Sequence, residues 1–144
     1  MATLLAGDTL VDEHEPLRVL VIDQAEKVHK TRDALAVDAA FFRMEECHSL
    51  GEGIETCRNH RNEVVVLATD LPDAWPSDVF LRFAEQTPDS SIIVIAESTL
   101  DKFSLQGAER TPFCIIDRAK VDSTTIRRLV ASAGILARTL RSLP

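Results

Sequence analysis

The sequence predicts an α/β fold of (βα)5 type: a doubly wound, five-stranded parallel sheet with strand order 2-1-3-4-5. Two observations carry this. The apolar runs Val19–Ile22, Val64–Leu67, Ile92–Ile95 and Phe113–Ile116 are continuous rather than alternating, which marks strands buried on both faces. These runs alternate with amphipathic segments, which makes β-α-β units with right-handed crossovers and places helices on both faces of the sheet. In such sheets the ligand crevice lies at the carboxyl ends of the strands. Here those ends are residues 23–24, 68–70, 96–98 and 117–118.

Each element has its own justification. Residues 1–16 read as a flexible tail ending at Pro16, residues 17–122 as the core, and 123–144 as a last helix running toward a further, output domain. Gln24–Ala36 carries Val28 and Leu35 at helical spacing. Phe41–Cys47 is a more polar strand, suited to a sheet edge. Leu50–His60 is predicted helical, with Ile54 and Cys57 inward and Ser49 as its N-cap. Gly51-Glu52-Gly53 reads as the first turn of that helix; it lacks a third glycine, and its acid would repel phosphate. Ser77–Glu85 is a helix with Val79, Phe80 and Phe83 on one face. A short helix is predicted over Thr99–Ala108, and Pro112 fits only the beginning of the fifth strand. In the last helix, Ser123–Leu140, residues Ile126, Leu129, Val130, Ala133, Leu136, Ala137 and Leu140 recur at three- and four-residue steps. The pattern extends to Ser142, about 30 Å, longer than packing on the sheet requires. The excess suits a coiled coil or a dimer seam. Gly134 costs about 1 kcal/mol in a helix and marks a close approach.

Composition bounds the function. The chain has 144 residues, 45% hydrophobic and 27% charged, which suits one globular domain. The tightest apolar runs, Val64–Ala68 and Ile92–Ala96, fall far short of the roughly 20 residues of a membrane span. The early acids Asp8, Asp12, Glu13 and Glu15 do not suit a secretory leader, so a cytoplasmic protein is expected. The net charge is −7, but residues 118–144 hold six basic residues against the single acid Asp122. An acidic body repels nucleic-acid phosphate, so neither a nucleic-acid nor a membrane partner is expected. Cys47, Cys57 and Cys114 form no CxxC pair and read as inert thiols. Cys47, His48, Cys57 and His60 have metal-ligand chemistry, but the helix between them separates the set by about 15 Å, so no metal is expected.

The segments LRVLVID, EVVVLATDLPD, SSIIVIAES and FCIID resemble, over about residues 17–140, the receiver domain of response regulators, the CheY-like family with a flavodoxin-like sheet. Leu71-Pro72-Asp73 is the most specific piece. The resemblance implies a Mg²⁺-binding acidic pair after the first strand, here Asp23 and Gln24. It puts the phosphoaccepting aspartate at Ala68, the phosphoryl-bonding hydroxyl at Ala96, the lysine at Asp117 and the aromatic switch at Cys114. Alanine has no oxygen to accept a phosphoryl group. One carboxylate is a poor Mg²⁺ cage. An aspartate in place of the lysine turns an attraction of about 4 kcal/mol into a similar repulsion. Asp70, two residues beyond Ala68, would be the substitute acceptor if the loop were shortened. Asp23 and Asp117 are expected to lie close and to need Arg118 or Lys120 to neutralise them.

The resemblance therefore implies a degenerate receiver, or pseudo-receiver: no enzyme, no cofactor, no phosphorylation, but an interaction or dimerisation domain of a bacterial-type signalling protein. The expected surface is the fourth helix, fifth strand and fifth helix, with Arg127, Arg128, Arg138 and Leu140 as its contact residues. Trp75, on the loop after Leu71-Pro72-Asp73, is a further anchor candidate, or else folds over the adjacent helix. By analogy, the output expected first is a cyclic-dinucleotide cyclase or phosphodiesterase, ahead of a histidine kinase or a transcription activator. The alternatives are a sensor for a nucleotide or cyclic dinucleotide, and a phosphoaccepting receiver using Asp70.

Overall fold

A computed structural model of the chain describes residues 15–97 and 111–143. Five parallel strands, β1 (Leu17–Ile22), β2 (Phe42–Cys47), β3 (Val64–Ala68), β4 (Ser91–Ala96) and β5 (Cys114–Asp117), form one sheet in the order β2-β1-β3-β4-β5. Four helices flank it: α1 (His29–Ala36), α2 (Leu50–Asn59), α3 (Pro76–Gln86) and α4 (Ser123–Arg141). The expected sheet and strand order are those observed. The helix expected over Thr99–Ala108 lies outside the described residues, as do residues 1–14 of the expected tail.

Three of the four continuous apolar runs became central strands because both of their faces are covered; the fourth, Phe113–Ile116, lies on the edge strand β5, where Cys114 and Ile115 are only half-buried. Every residue of β3 is buried, as are all but the first of β4. Each fully buried Val, Leu or Ile contributes about 1.5–3 kcal/mol, so this ladder is the main source of stability. β2 carries Arg43, Glu45 and Glu46 and sits at the edge, where its polar side chains reach water.

Two glycines set how close the helices lie. A Cβ on Gly134 of α4 would stand 2.5 Å from Leu17 Cδ1, and one on Gly53 of α2 would stand 2.3 Å from Ile22 Cδ1. Leu17 and Ile22 differ in parity along β1, so they point to opposite faces. Hence α4, with α1 beside it, covers one face, and α2, with α3 beside it, covers the other.

Local signals hold at most helix ends. Ser49 caps α2 by accepting the Glu52 N–H. Pro76 occupies the first turn of α3, and Val79, Phe80 and Phe83 are buried as expected. The first helix differs. It begins at His29, not Gln24, and residues 25–28 form a turn. Gln24 and Lys27 are drawn instead to Asp70, across the loop after β3. The last helix starts at Ser123 with Asp122 as its cap. Its apolar stripe is only half covered: Ile126, Val130 and Ala133 are buried, whereas Leu136 is 41% and Leu140 57% exposed. Among the described residues, no helix is long and apolar enough to cross a membrane.

Candidate functional site at the carboxyl edge of the sheet

The strand ends converge as parallel topology requires. Asp23 follows β1, Ala68 ends β3, Ala96 ends β4 and Asp117 ends β5, with Ala96 and Asp117 in register. The Asp23 side chain is 0% exposed. A buried carboxylate without a counter-charge is costly, and Arg118 supplies one. Its Nη1 and Nη2 donate to Asp23 Oδ2 and Oδ1, each at 2.7 Å, in a two-point fork. The Gln24 N–H donates to Oδ1 as well, at 2.8 Å.

The same guanidinium holds a second carboxylate. Arg118 Nε and Nη2 stand 2.9 and 2.8 Å from Glu97 Oε2. Glu97 in turn lies 3.7 Å from Lys27 Nζ, which donates to Asp70 Oδ2 at 2.9 Å. The loop closes where Gln24 Nε2 donates to the Asp70 carbonyl at 2.8 Å. Three carboxylates and two cations thus alternate across the crevice. Burial pulls Arg118 down, but its bonds to Asp23 and Glu97 outweigh this and raise it above the usual arginine value. The hydrogen bond to Asp70, more than any other influence, raises Lys27.

The expected neutralisation of Asp23 by Arg118 is present. Its second carboxylate is Glu97, which sequence reasoning did not single out, although Glu97 directly follows Ala96. Lys27 was missed too, because nothing in the chain between 27 and 70 announces the pairing. Asp73 of the Leu71-Pro72-Asp73 motif accepts the N–H groups of Leu50 and Gly51 at 2.8 and 2.9 Å, pinning the start of α2. Burial pushes the Asp73 carboxyl up, but those backbone bonds prevail and its pKa is lowered. Trp75 stands 77% exposed just before α3.

The other expected contact residues divide. Arg128 and Leu140 are exposed, and Arg127 donates to Ser123 Oγ. Arg138 is engaged within the chain: Nε donates to Glu63 Oε2 at 2.5 Å and Nη2 to the Pro16 carbonyl at 2.9 Å. The candidate metal ligands have other contacts: Cys47 Sγ meets Thr56 Oγ1 at 3.3 Å, His48 meets the Asp23 carbonyl, and His60 meets Glu45. Burial pushes Cys57 up to about 11.

No protein-family model and no curated protein matches the sequence. Solved structures do. A signal receiver domain of an HD domain-containing protein from Pseudomonas fluorescens Pf-5 superposes with a TM-score of 0.80 at 12% identity, covering 97% of this chain and 100% of its own. This is the fold of a CheY-like receiver domain. A CheY-like receiver domain protein from Methanospirillum hungatei JF-1 gives 0.70 at 16% identity, over 86% of this chain and 98% of its own. A structure named as adenylate cyclase from Rhodopirellula baltica gives 0.74 at 14%, over 88% and 93%. At such identities the likeness is one of fold.

The receiver fold implies Mg²⁺ at this edge, and the residues present do not fit it. Both Asp23 oxygens are taken by Arg118, the Gln24 amide is turned to the Asp70 carbonyl, and Ala68 offers no side-chain oxygen. Among the described residues, no group of three His, Cys, Asp or Glu side chains is arranged to hold a metal.

The opposite edge has a second buried carboxylate. Burial pushes Glu63 up, but the Arg138 hydrogen bond, the Arg18 N–H and the charges of Arg138 and Arg141 outweigh it, so its pKa is lowered from 4.5. A lowered folded-state pKa stabilises above the unfolded value, and that stabilisation is lost as pH falls through the folded value. Glu63→Gln is expected to cost about 2 kcal/mol at pH 7, with the gap to wild type closing as pH falls below 4.5. Urea unfolding at pH 7 and pH 3 checks this; a gap that stays constant would contradict it.

Proposed function

We propose that the chain is a pseudo-receiver: a phosphorylation-independent regulatory domain of a signalling protein that acts by binding protein rather than by catalysis. The observation that carries this is Arg118. It bonds both oxygens of Asp23, in the position where the receiver resemblance implies a metal, while Ala68 stands at the acceptor position. Arg118 already occupies the carboxylate oxygens on which a divalent cation would have to sit, and position 68 offers no side-chain oxygen to accept a phosphoryl group. The Asp70 alternative draws less support, since its carboxylate is engaged by Lys27. The crevice likewise favours a nucleotide sensor less, because Arg118 and Lys27 already span it.

The proposed partner is a second copy of the chain, docking through the outer half of α4 and the start of β5. Ile135, Leu136 and Leu140 of α4, and Leu143 just beyond its end, are exposed there. A groove of about 690 Å³ runs beside them, lined by Pro112, Phe113, Leu136 and Leu140 among others. The apolar stripe continues past the point where the sheet stops covering it, which is the pattern of a helix seam. The proposed output is a cyclic-dinucleotide cyclase or phosphodiesterase. Neighbours from an HD domain-containing protein and an adenylate cyclase favour an output in nucleotide signalling.

Amide NMR titration with Mg²⁺ and beryllofluoride tests the first claim. Wild type is expected to show no saturable shifts around residues 23, 68–70, 96 and 117. Arg118→Ala is expected to gain Mg²⁺-dependent shifts at Asp23 and Glu97, since two carboxylates lose their counter-charge. Saturable beryllofluoride shifts in wild type would overturn the proposal. For the second claim, light scattering over a concentration series is expected to show a dimer that Leu140→Asp dissociates. A wild-type monomer at all concentrations would refute it.

A further inference from the structure

We infer that the amino edge of the sheet, opposite the Arg118 crevice, holds a binding site for a phosphate-bearing small molecule. A cavity of about 350 Å³ opens there, lined by Arg18, Arg43, Arg61 and Arg141 together with Glu15, Pro16 and Glu63. Four guanidinium-bearing residues around one cavity is unusual for a chain whose net charge is −7.

Their placement follows from the topology. Arg18 of β1 and Arg43 of β2 are register partners, so they project side by side from the face that α2 covers further along. Arg18 is the one exposed residue in an otherwise buried strand. Arg61 enters from the loop between α2 and β3, and Arg141 from the last turn of α4. Like charges directly across two strands repel.

Among the described residues, the charges inside the chain do not balance this cluster. Glu63 is already engaged by Arg138 Nε and Nη2 at 2.5 and 3.2 Å, by Arg141 at 3.4 Å and by the Arg18 N–H at 3.0 Å. Arg61 approaches Asp89 only at 3.8 Å. Among the described residues, no ion pair is formed by the Arg18 or Arg43 side chain. Counting Arg138 with the four lining arginines against Glu15 and Glu63, these described residues hold a net charge of +3. Paired, planar guanidinium groups match the oxygens of a phosphate, which accepts two-point bonds from each. A phosphoryl dianion fits a concave site of this charge better than a single carboxylate does.

Arg141 is shared between the cavity and Glu63, so an anion bound here draws on the residue that ties the end of α4 to the sheet. The site is separate from the carboxyl edge and stands whether or not the pseudo-receiver proposal holds.

Calorimetric titration of the full chain with inorganic pyrophosphate at low ionic strength tests the site. Saturable one-to-one binding is expected, weakened about tenfold, or about 1.4 kcal/mol, by Arg43→Gln. Arg18→Gln should act in the same direction, and Arg128→Gln on the far part of α4 should leave binding unchanged. Circular dichroism confirms that the variants fold. A parallel titration with AMP separates the sources of phosphate: tighter binding than pyrophosphate assigns a nucleotide, and equal or weaker binding a bare phosphoryl group. Absence of saturable pyrophosphate binding, or equal weakening by Arg128→Gln and Arg43→Gln, would overturn the site.

Discussion

The fork between Arg118 and Asp23 is the contact on which the carboxyl edge depends. A parallel sheet brings all of its strand ends to one side, and this sequence places a fully buried carboxylate at the first of them. Removing one member of such a buried pair typically costs about 3–5 kcal/mol, because the other is left charged and desolvated. A cation must therefore be present. The chain provides it from the residue immediately after β5, so the closing contact spans 95 positions of sequence. Glu97, Lys27 and Asp70 extend the pairing across the loops after β4, β1 and β3. These loops are tied together by charge as well as by packing.

The two edges of the sheet are electrostatically opposite. At the carboxyl edge, Asp23, Glu97 and Asp70 alternate with Arg118 and Lys27. Among the described residues of the amino edge, arginines outnumber acids, and the buried Glu63 serves several of them. Glu63 joins β1, β3 and α4 through Arg18, Arg138 and Arg141, so this edge also fixes how the last helix sits. On the same turns as that clamp, the apolar side chains Ile135, Leu136 and Leu140 of the helix are exposed.

The sheet was legible because burial on both faces leaves an unbroken apolar run, and nothing else in the chain imitates Val64–Leu67 or Ile92–Ile95. Strand-end positions followed by counting, so Asp23, Ala68, Ala96 and Asp117 were found from the chain alone. Long-range charge pairing was harder. Arg118 was a candidate because it adjoins Asp117, but the choice of Glu97 as its second partner depends on how two loops meet. The start of α1 was misjudged for the same reason: Gln24 and Lys27 serve the loop at Asp70 instead of the first helical turn. Periodicity named the apolar face of α4 correctly and did not say where the sheet stops covering it. Arg138 looked like a solvent-facing residue, yet its guanidinium lies under the chain at Pro16 and Glu63.

A double-mutant cycle on Asp23→Asn and Arg118→Gln, read by urea unfolding at pH 7, measures the central interaction most directly. If Arg118 is the resident counter-ion of the crevice, the coupling energy is about 2 kcal/mol or more. A coupling within about 0.5 kcal/mol of zero would mean that the two residues act independently. The crevice would then be an acidic site awaiting an external cation, which contradicts the account.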